Sequence, residues 1–330
     1  MTLVRLAAGV SAFSLIGGLG LATATASPVD AFTASTTTTN TGCFLGTLLG
    51  CPTPPPNPTP PPGGPSVNGN PPLPAASDCG PTIRKSSGRP WRCTFFDDFK
   101  GTQLNRSYWV PQTGWYQGDF SAGYNCYVDS PSVVSVSSGA LHLRVVRSSL
   151  PTACGAPSGT TNYVAGMVST YRLFSQKYGR FQARIKVQGT AAAGLHEAFW
   201  LWPDDRYTKV NWPATGEIDP SETFSMYHDR SIAFLHYGNG SEKWISGVNM
   251  NFGCRASRGV WNTYTVSWSP KALTVQVNGK TCLYNTSGDQ AFKERYIVDF
   301  TAALGESRNK RTSATPIPST MLVDYIKVWI

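Results

Sequence analysis

Three carboxylates lie close together in the segment Glu217-Ile218-Asp219-Pro220-Ser221-Glu222. This density is unusual because the whole chain has only 19 Asp and Glu residues among 330. Crowded carboxylates repel one another, and the repulsion raises the pKa of at least one of them. Such a cluster can bind a metal, perform acid–base chemistry, or simply lie solvated on the surface.

If this segment is a β-strand, Glu217 and Asp219 share one face, because side chains alternate along a strand. Strict alternation puts Glu222 on the other face unless one extra residue forms a β-bulge after Asp219. Pro220 favours a bulge, since proline cannot donate to a ladder. The outer acids are then about 13 Å apart at the backbone, so they converge only on a concave sheet. A carboxyl separation of about 5–5.5 Å would indicate a retaining glycosidase, and about 6.5–9.5 Å an inverting one.

The two alternatives to acid–base chemistry have weaker support. His228 and His236 follow the acids, but their spacing matches no familiar metal-binding motif. A solvated surface is disfavoured because the apolar residues Trp212, Ile218 and Phe224 frame the acids. The pattern therefore favours a buried or partly buried acid cluster.

Aromatic residues around the acids favour a sugar ligand, because flat rings stack on the apolar faces of pyranose rings. The alternative is that most of these rings belong to the core, where large aromatics usually lie. We expect Trp200 to be partly core, and Trp212 and Trp115 to line a cleft. The predicted aromatic substrate-binding residues are Trp115, Trp200, Trp202 and Trp212.

From about residue 78 the chain consists of short alternating runs separated by Gly, Pro, Asn or Ser clusters. Many short strands with turn signals predict an all-β sandwich or barrel, and residues 78–330 fit one large domain. The runs are Ser132–Ser137, Ala140–Val146, Gly179–Val187, Arg230–His236, Thr263–Trp268, Leu273–Val277 and Met321–Trp329.

The N-terminus has the features of a secretory signal peptide at residues 1–26, with Arg5 before an apolar stretch and Ala24-Thr25-Ala26 before the cleavage point. A transmembrane anchor is the alternative, but the stretch is short and contains Gly and Ser. No later segment approaches about 18 apolar residues, so we expect no anchor after cleavage and an extracellular protein.

Residues 27–77 are rich in Thr, Pro and Gly and predict a linker, because they lack the apolar content to offset ordering entropy. Within this linker, Cys43 and Cys51 could close a small loop. Eight cysteines in an exported chain predict disulfides. Pairing sequence neighbours gives 43–51, 79–93, 126–154 and 254–282, although eight cysteines allow about 105 connectivities.

The net charge of +9 comes from scattered basic residues. The scatter argues against nucleic-acid binding. It fits either a basic soluble surface or a mild attraction to an anionic polymer such as a cell wall. We expect a monomer whose partner is a polysaccharide.

Seven motifs follow one another in a fixed order along residues 95–330. They are Phe96-Asp97-Asp98-Phe99-Lys100-Gly101, Tyr178-Gly179-Arg180-Phe181-Gln182-Ala183-Arg184, Gly194-Leu195-His196-Glu197-Ala198-Phe199-Trp200, Trp212 through Glu222, Leu235-His236-Tyr237-Gly238, Trp261-Asn262-Thr263-Tyr264 and Val323-Asp324-Tyr325-Ile326-Lys327-Val328-Trp329. In these motifs and their order, nearly all of residues 95–330 resembles glycoside hydrolase family 16, the laminarinase-like branch of the concanavalin-like jelly-roll enzymes.

The resemblance implies a sandwich of two curved antiparallel sheets, with substrate across the concave face. It makes Glu217 the nucleophile, Asp219 the assisting acid and Glu222 the general acid/base of a retaining enzyme. It also places His236 near the acid/base, where we expect it to contact substrate. No cofactor is required for catalysis, and a structural calcium site is implied at Asp98, the Gly139 carbonyl and Asp324.

The chain departs from the family pattern where a Gly-Leu-Trp-Pro-Ala-Phe-Trp run is common, because His196 and Glu197 occupy the middle. A second departure is Ala165-Gly166-Met167-Val168, where β-1,3-glucanases often have a Ser-Gly-Arg-Ile-like strand. We expect His196 and Glu197 to contact substrate and to influence its choice.

The favoured function is a secreted endo-1,3-β-glucanase. The first alternative is a hydrolase or transglycosylase acting on another cell-wall glycan, such as mixed-linkage glucan or galactan. The second is a non-catalytic glycan-binding module, against which the intact pair Glu217 and Glu222 argues.

Overall fold

The computed structural model describes residues 78–238 and 244–330, and these residues form 18 strands and two short 3₁₀ helices. The strands are β1 (Cys93–Asp97), β2 (Val110–Pro111), β3 (Tyr116–Asp119), β4 (Gly123–Tyr127), β5 (Val134–Ser137), β6 (Ala140–Ala153), β7 (Thr160–Ala165), β8 (Met167–Ser169), β9 (Gly179–Lys186), β10 (Leu195–Pro203), β11 (Glu217–Phe224), β12 (Arg230–His236), β13 (Met250–Arg255), β14 (Asn262–Trp268), β15 (Leu273–Val277), β16 (Lys280–Asn285), β17 (Tyr296–Leu304) and β18 (Ser319–Trp329). The helices are Gln290–Lys293 and Ser307–Asn309.

The strands form two sheets packed face to face. The smaller sheet has seven strands in the order β13-β12-β11-β10-β17-β8-β2. The larger sheet has eleven strands, with β16-β15-β14-β9-β18-β6-β7-β4-β3 in sequence and β1 and β5 paired to β18 and β6. All pairings between named strands are antiparallel except β4 with β7, which is parallel. The predicted two-sheet jelly-roll sandwich is confirmed.

Alternation creates the core between the sheets. In β9, the residues Phe181, Ala183 and Ile185 are buried, while the residues between them are partly exposed. By contrast, β10 and most of β11 are buried on both faces. One face of the smaller sheet therefore packs on the core, and its other face lies beneath further residues or in a recess.

Three of the predicted disulfides are present, namely Cys79–Cys93, Cys126–Cys154 and Cys254–Cys282. The last of these joins β13 of the smaller sheet to β16 of the larger one. The predicted signal peptide, the linker and the Cys43–Cys51 loop lie outside the described residues. Within the described ranges, no helix is long and apolar enough to cross a membrane.

Candidate active site

The predicted β-bulge is present in β11. Opposite β12, Asp219 pairs with Phe234 and Glu222 pairs with Ile232, so three steps on β11 match two on β12. The same extra residue separates the pairings of β11 with β10 on its other side. Removing Pro220 from the count restores both ladders to regular pairing, which identifies it as the extra residue.

The bulge puts the three acids on one face of the smaller sheet. Ile218 is fully buried in the core, and the Ser221 hydroxyl accepts a hydrogen bond from Ser231 inside the sandwich, at 3.0 Å. Because side chains alternate, Glu217, Asp219 and Glu222 point to the opposite face.

Glu217, Asp219 and His236 form a compact group, with polar side-chain atoms that all lie within 4.8 Å of one another. His236 is the cross-strand partner of Glu217, and its Nε2 lies 3.4 Å from Asp219 Oδ2. The indole N–H of Trp212 donates to Glu217 Oε2 at 2.7 Å. This hydrogen bond occupies one oxygen of Glu217 and leaves Oε1 for other chemistry.

Burial is the main reason why the pKa of Glu217 lies well above its usual value, and the charge of Asp219 raises it further. His236 and the Trp212 hydrogen bond oppose this rise. Burial also raises the pKa of Asp219 to about 6, against the stabilising effect of His236 on its charged form. The group therefore retains protons at a pH where exposed carboxylates have lost theirs.

The same three side chains could ligate a divalent cation, because two carboxylates and an imidazole are common ligands. However, the Trp212 N–H is directed at Glu217, and an N–H donor competes with a cation for the carboxylate oxygen. The local chemistry fits a nucleophilic carboxylate better than a metal ligand.

Glu222 is bound from the neighbouring strand by His196. Nε2 of His196 lies 2.9 Å from Glu222 Oε1, and its Nδ1 lies 2.7 Å from the Gln117 side-chain nitrogen. The Tyr127 hydroxyl donates to Gln117 Oε1 at 2.8 Å, and Phe224 stacks on the imidazole ring. His196 is only 4% exposed, so its predicted substrate contact is replaced by a contact with Glu222.

Several charges act on His196. Burial lowers its pKa, but the hydrogen bond and charge of Glu222, together with the charges of Glu197 and Glu306, outweigh burial and leave the pKa raised. Burial raises the pKa of Glu306, which also accepts a hydrogen bond from the Gly118 backbone.

The four predicted aromatic residues have different environments. Trp212 is partly buried and contacts Glu217. Trp200 and Trp202 point to the same face of the sheet as the acids. The indole N–H of Trp200 donates to the Thr301 hydroxyl at 2.9 Å. Trp115 is 9% exposed and packs in the main core, as in the alternative interpretation of these rings.

The prediction that Glu197 contacts substrate is contradicted by its position. Glu197 follows His196 in β10 and so points to the opposite face, inside the sandwich, where it is 3% exposed. Its oxygens lie 2.7 Å and 2.9 Å from the two terminal nitrogens of Arg258, and Thr223 donates to it at 2.7 Å. Glu197 therefore forms a buried structural ion pair.

The calcium site implied at Asp98, Gly139 and Asp324 does not fit these residues. Asp98 lies 2.6 Å from the Lys100 ammonium, and Asp324 lies 2.6 Å from the Arg184 guanidinium. Calcium takes 6–8 oxygen ligands, but cations of the chain already pair with both carboxylates. The donor set is that of two surface ion pairs.

The residues that hold His196 in place could not be identified from the sequence. Gln117 and Tyr127 are separated from His196 by 79 and 69 positions and belong to the other sheet. Their local sequence contains no catalytic motif, so only the pairing of β3 with β4 and the fold of the sandwich reveal their contact.

Comparison with known proteins shows the family and the fold. The model for glycosyl hydrolases family 16 matches residues 121–303, which is more than half of the chain. Glucan endo-1,3-beta-glucosidase A1 of Niallia circulans is 26% identical over 71% of this chain and 37% of that protein. Endo-1,3-1,4-beta-glycanase ExsH of Rhizobium meliloti is 26% identical over 72% of this chain and 51% of that protein. The chain thus spans about half or less of these curated relatives.

Solved structures show the same fold. The endo-β-1,3-glucanase of Pyrococcus furiosus superposes with a TM-score of 0.59 at 20% identity, over 75% of this chain and 97% of that chain. The laminarinase catalytic domain of Thermotoga petrophila RKU-1 superposes with a TM-score of 0.57 at 18% identity, over 73% and 98%. Enzymes of this family generally catalyse without a cofactor. With its fold, its bulged acid row and more than half of its length matched, the chain belongs to glycosyl hydrolase family 16.

Proposed function

We propose that this chain is an endo-β-glycosidase that hydrolyses β-1,3-glucan with retention of anomeric configuration. The observation that carries the proposal is the bulge in β11, which brings Glu217, Asp219 and Glu222 onto one face of the smaller sheet. Retention requires one carboxylate to attack and another carboxyl group to protonate the leaving oxygen.

In the first step, Glu217 attacks the anomeric carbon with Oε1, because Oε2 is held by the Trp212 N–H. A new bond forms between Oε1 and the anomeric carbon, and the glycosidic bond breaks. Glu222 gives its proton to the departing glycosidic oxygen. In the second step, Glu222 removes a proton from water, the water oxygen attacks the same carbon, and Glu217 is released.

Asp219 assists Glu217 through its charge. Its carboxyl group lies between the two glutamates along the strand and interacts with His236. Because it raises the pKa of Glu217, Asp219 makes the carboxylate more basic and so more nucleophilic once it is ionised. Replacing Asp219 therefore lowers the rate without removing either reacting group.

The substrate assignment is supported by the indole ring of Trp212 beside the acids and by the activities of the relatives. Trp212, which is partly buried beside Glu217, offers a ring surface for a glucose unit, whereas Trp200 and Trp202 are 8% and 5% exposed and belong to the main core. One relative is a glucan endo-1,3-beta-glucosidase, and two are endo-1,3-1,4-beta-glycanases. The second candidate function is therefore hydrolysis of mixed-linkage glucan.

The test uses laminarin, lichenan, agarose and galactan with the purified protein. We expect the highest kcat/KM on laminarin, and we expect proton NMR to show the β-anomer as the first reducing end. The folded Glu217→Gln variant should lose at least about 10⁴-fold of this activity. An α-anomer as first product would contradict retention, and preference for lichenan would favour the second candidate.

We also propose that residues 1–26 direct secretion, that residues 27–77 are a linker, and that residues 78–330 form the catalytic domain of a monomer found outside the cell, free or associated with the wall. The three disulfides of the described residues support an oxidising compartment. Mass spectrometry of protein from the medium should find Ser27 as the first residue and a closed Cys43–Cys51 pair. A retained Met1, or a larger assembly in light scattering, would contradict these proposals.

A further inference from the structure

We propose that His196 is a positioning residue that holds one oxygen of Glu222 and directs the proton of Glu222 to the other oxygen. The inference rests on the proposed role of Glu222 as general acid/base. It adds His196, Gln117 and Tyr127 to the residues on which the reaction depends.

The contact between His196 and Glu222 is buried and fixed in orientation. His196 and Glu222 are 4% and 7% exposed, and the two side chains meet at 2.9 Å. The imidazole ring stacks on Phe224, with the ring centres 4.8 Å apart and the planes at 17°. Stacking fixes the plane of the ring, and burial prevents water from replacing the hydrogen bond.

The hydrogen-bond partners of His196 determine which ring nitrogen faces Glu222 as a donor. Tyr127 donates its O–H to Gln117 Oε1, so the Gln117 amide group turns its N–H atoms toward His196 Nδ1, at 2.7 Å. In this arrangement Nδ1 must accept, so the ring is neutral and its proton lies on Nε2. If the ring is protonated, the Gln117 amide must turn its oxygen toward Nδ1, and Nε2 still carries a proton. Nε2–H therefore donates to Glu222 Oε1.

The His196 hydrogen bond also determines which oxygen of Glu222 carries the acidic proton. Because Oε1 already accepts from His196, the acidic proton of Glu222 lies on Oε2. After Glu222 has protonated the leaving oxygen, the same N–H stabilises the carboxylate that remains. The carboxyls of Glu217, Asp219 and Glu306 also interact with Glu222 through their charges, and none of them is a hydrogen-bond donor when ionised.

A sequence feature agrees with this role. His196 occupies the position where the family motif commonly has Trp, and its imidazole N–H contacts the proposed acid/base Glu222. The neighbouring departure, Glu197, points into the sandwich and cannot serve Glu222.

The experiment compares two leaving groups. A sugar leaving group needs protonation, whereas the 2,4-dinitrophenolate of an aryl β-glucoside leaves without it. We expect His196→Phe, which keeps the ring stacking but has no donor, to lose about 10- to 100-fold in kcat/KM on laminarin and less than about 3-fold on the aryl glucoside. His196→Gln can present its amide N–H at the place of Nε2, so it should recover most of the loss.

His142→Phe is the matched control, because His142 lies in β6 of the other sheet and contacts Ser137. It should leave both activities unchanged. Circular dichroism melting of each variant verifies that it is folded at the assay temperature. Gln117→Met should give a smaller loss with the same dependence on leaving group, about 3- to 10-fold on laminarin.

The outcome separates this inference from the proposed function. Equal losses of His196→Phe on both substrates, or no loss on laminarin, would overturn the positioning role. Glu222→Gln should show a larger dependence on leaving group than any His196 variant. If Glu222→Gln shows none, the assignment of the acid/base is wrong; if it does and His196→Phe does not, only the role of His196 fails.

Discussion

Two consecutive residues of β10 lie on opposite faces of the same strand and both bind a buried partner in a different way. On the inner face, Glu197 accepts two hydrogen bonds from Arg258 and one from Thr223. On the outer face, His196 binds Glu222 within a group of three carboxylates. The inner carboxylate is compensated by a full positive charge, whereas the outer ones share two histidines and one indole N–H.

The difference shows how one strand supports both stability and reactivity. A buried carboxylate with a guanidinium partner has its charge compensated and its oxygens occupied by hydrogen bonds. Buried carboxylates without a full counter-charge have raised pKa values, as Glu217 and Asp219 do, and can exchange protons near neutral pH. The variants below change each side of this contrast separately.

The largest expected effect comes from breaking the inner pair. Arg258→Met should lower the free energy of unfolding by about 3–5 kcal/mol, because Glu197 is left buried without its counter-charge. The double variant Glu197→Leu, Arg258→Met removes both charges and should recover most of the loss. Urea unfolding at pH 7 measures both; a double variant as unstable as the single one would show that the pair itself stabilises the fold.

On the outer face, replacing the carboxylate of Asp219 should raise the free energy of unfolding instead of lowering it. In the folded protein the pKa of Asp219 is raised from 3.8 to about 6, so the native state holds a proton that the unfolded state loses, and stability falls as pH rises through this window. Such a shift corresponds to about 3 kcal/mol. Asp219→Asn should therefore stabilise the protein at pH 8 by about 1–3 kcal/mol, and this gain should vanish below about pH 4.

Urea unfolding at pH 8 and pH 4 tests this prediction. The control is Asp324→Asn, which removes an exposed ion pair with Arg184 and should destabilise by less than about 1 kcal/mol at pH 8. A destabilised Asp219→Asn at pH 8 would mean that Asp219 contributes to folding as Glu197 does.

Trp212→Phe should have a smaller effect, which is a shift in the pH dependence of kcat/KM. Burial raises the pKa of Glu217, and the Trp212 hydrogen bond works against that rise. Losing the N–H should move the acidic limb of kcat/KM upward by about one pH unit, because the nucleophile must be ionised. A pH–rate profile on laminarin measures the shift; an unchanged limb would separate Trp212 from the ionisation of Glu217.

The smallest effect is expected at the ion pairs of Asp98 and Asp324. Since Lys100 and Arg184 already pair with these carboxylates, adding calcium or EDTA should change Tm by less than about 1 °C. Differential scanning calorimetry tests this prediction. A rise of several degrees with calcium would restore the metal site that the sequence implies.

The acid row could be predicted from sequence because its evidence is local. Alternation fixes the faces of Glu217 and Asp219, and Pro220 marks the place of the extra residue. The three disulfides follow from pairing neighbours along the chain, which happens to be correct here.

The faces of His196 and Glu197 could not be predicted in the same way. Every residue of β10 is buried, so the strand shows no alternation of polar and apolar residues from which to choose a face. The choice depends on the register against β11, where Ala198 lies opposite Glu222. Arg258, which completes the inner pair, lies 61 positions away and contacts Glu197 only in the folded chain.

Because Pro220 is the extra residue of the bulge, the site can tolerate a one-residue deletion at this position. Deleting that one codon would leave Glu217, Ile218 and Asp219 opposite their present partners on β12, and Glu222 opposite Ile232. No side chain would exchange faces, and only the local bend and the spacing along the strand would alter. An in-frame deletion of one residue usually shifts the register of a strand, but here it would only remove the bulge and leave the register on both sides unchanged. The distance between Glu217 and Glu222 along the strand can therefore be changed by deleting one residue, and every reacting group is kept.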